Sequence, residues 1–173
     1  MNEVIQNLIE RRSARHYGPR QVEPEVLDQI LLAGTYAPTG MGRQSPVIVA
    51  VQDPDTVKQL SRMNAAIMGS DGDPFYGAPT VLVVLADKNV GTYLYDGSLV
   101  MGNLMNAAHA LGVDSCWIHR AKEEFESEEG KALLKKWGIQ GDLEGIGHCI
   151  LGYADTPKND PVPRKEGYVV KVL

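Results

Sequence analysis

Three arginines and a serine crowd into five positions near the start of the chain, Arg11-Arg12-Ser13-Ala14-Arg15. A guanidinium offers a planar fork of donors that matches the oxygens of a phosphate, and a hydroxyl adds a neutral hydrogen bond. The same run also suits the basic end of a helix, since cations favour a helix C-terminus. A second candidate is the loop Ala37-Pro38-Thr39-Gly40-Met41-Gly42-Arg43-Gln44-Ser45-Pro46. Gly40 and Gly42 would let backbone N–H groups approach a flat ligand, and Thr39 and Gln44 supply polar side chains. Read alone, it is also a plain connecting loop. Cys116-x-x-His119 and His148-Cys149 have the right ligand types for zinc. Each pair lies in or beside an expected strand, where successive side chains point to opposite faces, so structural cysteines and a satisfied core histidine are the better reading.

These residues need elements to hold them. Val4, Ile5, Leu8 and Ile9 recur at helical spacing, and Gly18-Pro19 breaks the helix they define. A second helix starts at Pro24 and ends near Gly34. Val47 to Val51 reads as a short buried strand, and Asp53-Pro54 as the cap and first turn of a helix carrying Leu60 and Asn64. Gly69 to Gly77 reads as a mobile loop. Thr80 to Ala86, apolar on both faces, is expected to be a central strand. A helix rich in small residues follows from about Thr92 to Leu111, packed in the domain or between subunits. Strands at 115–118 and 146–151, a helix over 123–137 and a terminal strand at 168–172 complete the pattern. Alternating strands and helices indicate a three-layer sandwich of the α/β or α+β class, with a central mixed sheet flanked by helices. One domain is expected over 1–173, with an arm from about 157 reaching across a surface or onto a partner.

The bulk composition narrows the function. Seventeen basic and twenty-two acidic residues give a net charge of −5, which argues against a general nucleic-acid binder. No apolar stretch approaches a membrane span and the first residues do not form a secretory signal. With only two cysteines, a cytoplasmic location is the default expectation.

Taken together, the motifs have an order. Arg11-Arg12-Ser13-Ala14-Arg15, Ala37-Pro38-Thr39-Gly40 and Gln44-Ser45-Pro46 come first. Then come Gly77-Ala78-Pro79-Thr80-Val81-Leu82-Val83-Val84 and Leu111-Gly112-Val113-Asp114-Ser115-Cys116-Trp117-Ile118. Ile150-Leu151-Gly152-Tyr153, followed by Pro157 and Arg164-Lys165, closes the series. This order resembles the nitroreductase family over almost the whole chain. The resemblance implies FMN, NADH or NADPH as electron donor, ping-pong transfer to an electron-poor small molecule, and a homodimer with two sites at its interface. It implies that Arg11, Arg12, Ser13 and Arg15 hold the phosphate, ribityl chain and pyrimidine edge. Arg15 would favour the anionic reduced ring, and Arg164 or Lys165 would complete the phosphate site. Pro38, Thr39 and Gly40, with Gly42 and Gln44, would come from the second subunit. Asn64 would set an amide near the N3 and O4 edge, with a satisfied polar helix residue as its other reading. Trp117, Ile118 and His119 would offer backbone along the dimethylbenzene side. Apart from the resemblance, the loop carrying Phe75 and Tyr76 could form a lid or a stacking surface at the substrate pocket, with a simple surface loop as the other reading for each aromatic.

The sequence departs from that family at Gly42, where many members have Asn, and at Gly40, where many have a second Ser. It is also short, so the helical excursion that covers the pocket in longer members is missing or replaced by Gly69 to Tyr76. Two other readings compete: a flavin-binding sensor or storage module without turnover, and a branch specialised for reductive dehalogenation or enone reduction.

Overall fold

A computed structural model describes residues 1–173. Helix α1 (Glu3–Glu10) is capped by Asn2, whose side chain accepts from the Val4 amide at 2.9 Å. Helix α2 (Pro24–Thr35) begins on its proline, where the missing N–H costs nothing. Strand β1 (Pro46–Val51) leads into α3 (Pro54–Met68), whose cap Asp53 accepts from the Thr56 amide. Then follow β2 (Thr80–Asp87), α4 (Tyr93–Ala110), β3 (Asp114–Ile118), α5 (Ala121–Glu126), α6 (Glu128–Lys136) and β4 (Leu143–Gly152).

The four strands lie in the order β1-β2-β4-β3, and every pairing is antiparallel. The expected mixed sheet is therefore corrected to an α+β fold with an antiparallel sheet. Alternating helical and strand periodicity does not encode direction, which depends on whether each connection returns to the end of the sheet it left. Here α3 and the segment after it carry the chain back, so β2 starts opposite the end of β1, Val51 against Val81.

β2 is buried from Thr80 to Ala86, as its apolar run demands. One face packs on Leu60, Met63, Phe75, Phe125 and Leu133, and the other on Ile30, Met101, Leu104 and Val113. Each such side chain contributes about 1.5–3 kcal/mol relative to exposure. In β4, Ile146 is the extra residue of a bulge, since Val84 pairs with Gly147 and Leu85 with Gly145. A side chain at Gly147 would strike the Trp117 indole, and one at Gly145 the Ala121 carbonyl. These two glycines let the strand lie tight against the β3–α5 turn.

Three further expectations change. The helix over 123–137 breaks at Ser127, where φ −71° and ψ 158° end α5 and start α6. The Ser127 hydroxyl donates to the Glu124 carbonyl at 2.6 Å and accepts from the Gly130 amide at 3.0 Å, so one side chain serves both helix ends. Residues 168–172 form no strand; the chain is exposed from Asp155 onward and pairs with neither edge of the sheet. The segment 69–77 is held rather than loose. Asp73 accepts from Ser61 at 2.6 Å, the Phe75 amide at 2.8 Å and the Gly77 amide at 2.7 Å. No helix is long and apolar enough to cross a membrane, and both cysteines are free and buried.

At Gly130 a methyl group would collide with the Glu124 carbonyl and the Phe125 backbone. Gly130→Ala should therefore destabilise the fold by about 1–3 kcal/mol despite alanine's better helix propensity. Urea unfolding checks this, and unchanged or raised stability would contradict the tight α5–α6 corner.

Candidate functional site

The arginine cluster begins where α1 stops. Arg11 is the C-cap with φ −54° and ψ 130°, and the chain then runs extended beside β3. Ser13 bridges Ser115, and the Ala14 amide donates to the Ser115 carbonyl at 3.1 Å. Arg12 folds back, its Nη1 donating to the Ile9 and Arg11 carbonyls at 2.7 Å each. It closes the helix end, as the alternative reading of this segment expected. Arg11 differs: its Nη1 is buried with no hydrogen-bond partner. A buried guanidinium nitrogen without an acceptor is costly. None of Arg11, Arg12 or Arg15 lies in an ion pair. Nearby His109 is held below the ordinary histidine pKa by burial and by the charges of Lys158 and Arg11. The residues present thus fit an anionic group, and a phosphate ester would supply the acceptor Arg11 lacks.

The glycine loop is built by a residue the sequence reading passed over. Asp96, in the first turn of α4, is 2 % exposed. Its Oδ1 accepts from the Gly40 amide at 3.0 Å, and its Oδ2 from Ser45 at 2.8 Å and Thr92 at 3.1 Å. Burial pushes its carboxyl pKa up, but these donors outweigh burial and leave it below the usual value. Thr39 Oγ1 accepts from the Gln44 amide at 3.1 Å. Gly40 has a packing reason: a side chain there would run into Thr92. Gly42, at φ 64°, serves the turn. Met41, also in the left-handed region at φ 54°, is 83 % exposed, and Pro38 and Gln44 are exposed beside it.

Trp117 and His119 are accessible at the end of β3, while Ile118 points into the core. Asn64 does not present its amide to a ligand. It is fully buried, and its Nδ2 donates to the His119 carbonyl at 2.7 Å and to Glu124. Its Oδ1 accepts from Arg120 Nε at 2.9 Å. Every polar atom of the side chain is occupied, so its role is internal. Phe75 is corrected as well: it is 1 % exposed, with its ring 5.2 Å from that of His148. Tyr76 remains partly exposed at φ 55°. Arg164 turns onto the Val162 carbonyl and Lys165 lies over Tyr168, both in solvent. No group of three or more acidic, cysteine or histidine residues could hold a metal.

The chain does not bring the two halves of the expected site together. The arginine segment lies beside β3 at one edge of the sheet, and the glycine loop leads into β1 at the other. Three inter-strand steps, roughly 14 Å, separate those edges. A cavity of about 960 Å³ between α3 and residues 70–79 is lined by none of the arginines of the cluster.

The nitroreductase family model matches residues 8–74 and 66–153, which is most of the chain and every helix and strand except the part of α1 before Leu8. The chain belongs to the nitroreductase family. A relative from Archaeoglobus fulgidus, named for NADH dehydrogenase/NAD(P)H nitroreductase activity, is 29% identical over 164 residues, covering 92% of this chain and 90% of its own. A Bacteroides fragilis nitroreductase with bound FMN superposes with a TM-score of 0.91 at 28% identity, over 99% of this chain and all of that one. A Desulfitobacterium hafniense nitroreductase with bound FMN gives 0.89 at 26% identity, over 99% of both. The nitroreductase fold is therefore common to all three despite low identity.

Asp96→Asn tests how the loop is held. An amide offers one acceptor oxygen where the carboxylate offers two, so either the Gly40 amide or the Ser45 and Thr92 hydroxyls lose their acceptor. Amide exchange over 38–46 should rise, with little change in the sheet. Because the folded pKa is depressed, wild-type loop protection should be full above the ordinary carboxylate range and be lost as pH falls below that range, through the depressed folded pKa. Unaltered exchange in the variant would mean that Asp96 does not anchor the loop.

Proposed function

We propose that this protein is a homodimeric FMN-dependent oxidoreductase that takes reducing equivalents from NADH or NADPH and passes them to an electron-poor small molecule of the nitroaromatic, quinone or enone type. The observation that carries this reading is the unpartnered, buried Arg11 Nη1 beside Ser13 and the unpaired Arg15. Its position in the chain is that of the family's arginine-serine cluster. FMN bound there would supply the redox chemistry at its N5. The chain's part is to bind, orient and exclude water.

Arg11 and Ser13 would hold the phosphate and ribityl chain, and Arg15 would lie along the pyrimidine edge, stabilising negative charge there. Arg12 would contribute charge but not its Nη1, which already serves two carbonyls. Trp117 and His119 would set backbone along the ring. Pro38, Thr39, Gly40, Gly42 and Gln44 of the second copy would cover one ring face, and Tyr76 would border the opening. No side-chain nucleophile is needed, so donor and acceptor would use the same space in turn.

The second copy is supported by apolar surface that the chain leaves uncovered. Val4, Ile5, Leu8 and Ile9 on α1 are exposed, and no α1 residue is buried. Leu94, Tyr95 and Leu99 face outward from α4, and Gly102 has open space above it. The root of the arm is fixed by Asp114, which accepts from the Ala154 amide at 2.9 Å and pairs with Lys158 at 2.5 Å. Beyond it, Val162, Tyr168, Val169, Val170 and Val172 stand exposed. β1 is a sheet edge without a neighbour. An arm crossing to a second copy would cover both features and could bring Arg164 or Lys165 to the other subunit's phosphate.

The purified protein should show oxidised-flavin absorbance that bleaches with NADH or NADPH under anaerobic conditions. A protein that stays colourless after incubation with FMN would overturn the reading. A yellow protein that no pyridine nucleotide bleaches would favour a flavin-binding module without turnover. Arg11→Ala combined with Arg15→Ala should weaken FMN binding by at least about a hundredfold, two charge-assisted contacts of 1.5–3 kcal/mol each. Stoichiometric flavin in that variant would sink the assignment. Gly102→Glu should convert a dimer to a monomer by sedimentation, and an unchanged dimer would place the interface elsewhere.

A further inference from the structure

Glu124 and His148 are fully buried, and the chemistry above uses neither. His148 sits in the middle of β4, opposite Val83 and Ile118, with the rings of Phe75 and Phe125 at 5.2 and 6.2 Å. Its Nε2 is 3.0 Å from Glu124 Oε1, and that same oxygen accepts from the Asn64 amide. His148 Nδ1 and Glu124 Oε2 have no partners. A buried acid–base pair carries a large desolvation cost, and apolar residues of similar shape often serve a fold as well or better. What apolar residues cannot do is orient an amide.

Asn64 is the amide so oriented. With one N–H on Glu124, its other reaches the His119 carbonyl at 2.7 Å, and its oxygen takes the Arg120 Nε–H at 2.9 Å. Arg120 has φ 77°, in the left-handed region that a non-glycine residue adopts only when its surroundings impose it. The turn from Ile118 to Arg120 is thus held to α3 both by its backbone and by a side chain. It is the turn whose backbone would run along the flavin.

We propose that Glu124, backed by His148, is a positioning residue for the reaction: it locks Asn64, and through Asn64 helix α3 fixes the Ile118–Arg120 turn at the flavin edge. The proposal rests on the FMN reading for its consequence, but not for the clamp itself. Freed of the clamp, Arg120 relaxes toward an ordinary backbone conformation and the groups ahead of it shift. Hydride transfer is steep in such displacements.

The test uses the full-length protein, with Glu124→Gln, Asn64→Leu, their combination, and Glu128→Gln as a surface control. A further variant, Glu124→Met with His148→Leu, replaces the pair by apolar groups and covers the case in which a single variant fails to fold. On apoprotein, amide exchange at 118–121 should rise about tenfold in every clamp variant and not in the control. On flavin-loaded protein, kcat should fall about tenfold while KM for the nucleotide stays within about twofold. The combination should cost no more than either single change, because the residues act as a unit. Unchanged exchange at 118–121 in the folded variants would overturn the clamp. Additive losses, or losses explained by missing flavin, would overturn the positioning role. A wild-type protein that binds no FMN would sink the proposed function, while exchange on the apoprotein would still decide the clamp.

Discussion

The structure depends on a sheet whose two inner strands are covered on both faces. β2 and β4 bury almost every residue, so helices must lie above and below them, and whatever chemistry the chain performs is pushed to the edges and ends. α3, α5 and α6 take one face, and α2 and α4 the other. The arginine segment then falls at the β3 edge and the glycine loop at the β1 edge. In one copy the two segments therefore lie apart. The same constraint explains why α1, the outer face of α4 and the arm carry apolar side chains that nothing in the chain covers.

Polar groups inside this apolar frame act as local anchors. Asp96 ties the glycine loop to α4, Asp73 knots the segment after α3, and Asn64 with Glu124 fixes the turn after β3. Each turns a connection that composition alone would leave loose into one with a defined path. The glycines complement them by closeness. Gly40 against Thr92, Gly145 against Ala121 and Gly147 against Trp117 are positions where any side chain would push a site-bearing segment away.

Arg11 and Arg12 show how neighbours of one type part company. Adjacent in sequence, they leave α1 in different directions. Arg12 satisfies the carbonyls that the helix end exposes, while Arg11 enters the interior and finds no acceptor. The first is a stability device and the second a binding opportunity. Burial first, and then the charges of Lys158 and Arg11, disfavour the charged form of nearby His109. An anion at Arg11 would relieve both the unmet hydrogen bond and that repulsion.

The sequence by itself determined the elements and the family. Val4 to Ile9, Pro24 onward, Asp53-Pro54 and Thr80 to Ala86 sit where periodicity and capping put them, since these signals act over a few residues. The motif series likewise named the family that the whole chain matches. Only the tertiary structure decided strand direction, the break at Ser127, the burial of Phe75 and the internal role of Asn64. The break at Ser127 is local, its hydroxyl bridging Glu124 and Gly130 three residues away on either side. The other three depend on partners distant in sequence: β2 for β1, His148 for Phe75, and His119, Arg120 and Glu124 for Asn64. Asp96 was missed for the same reason. An acid near a helix start reads as dipole chemistry until the loop 56 residues earlier is seen donating to it.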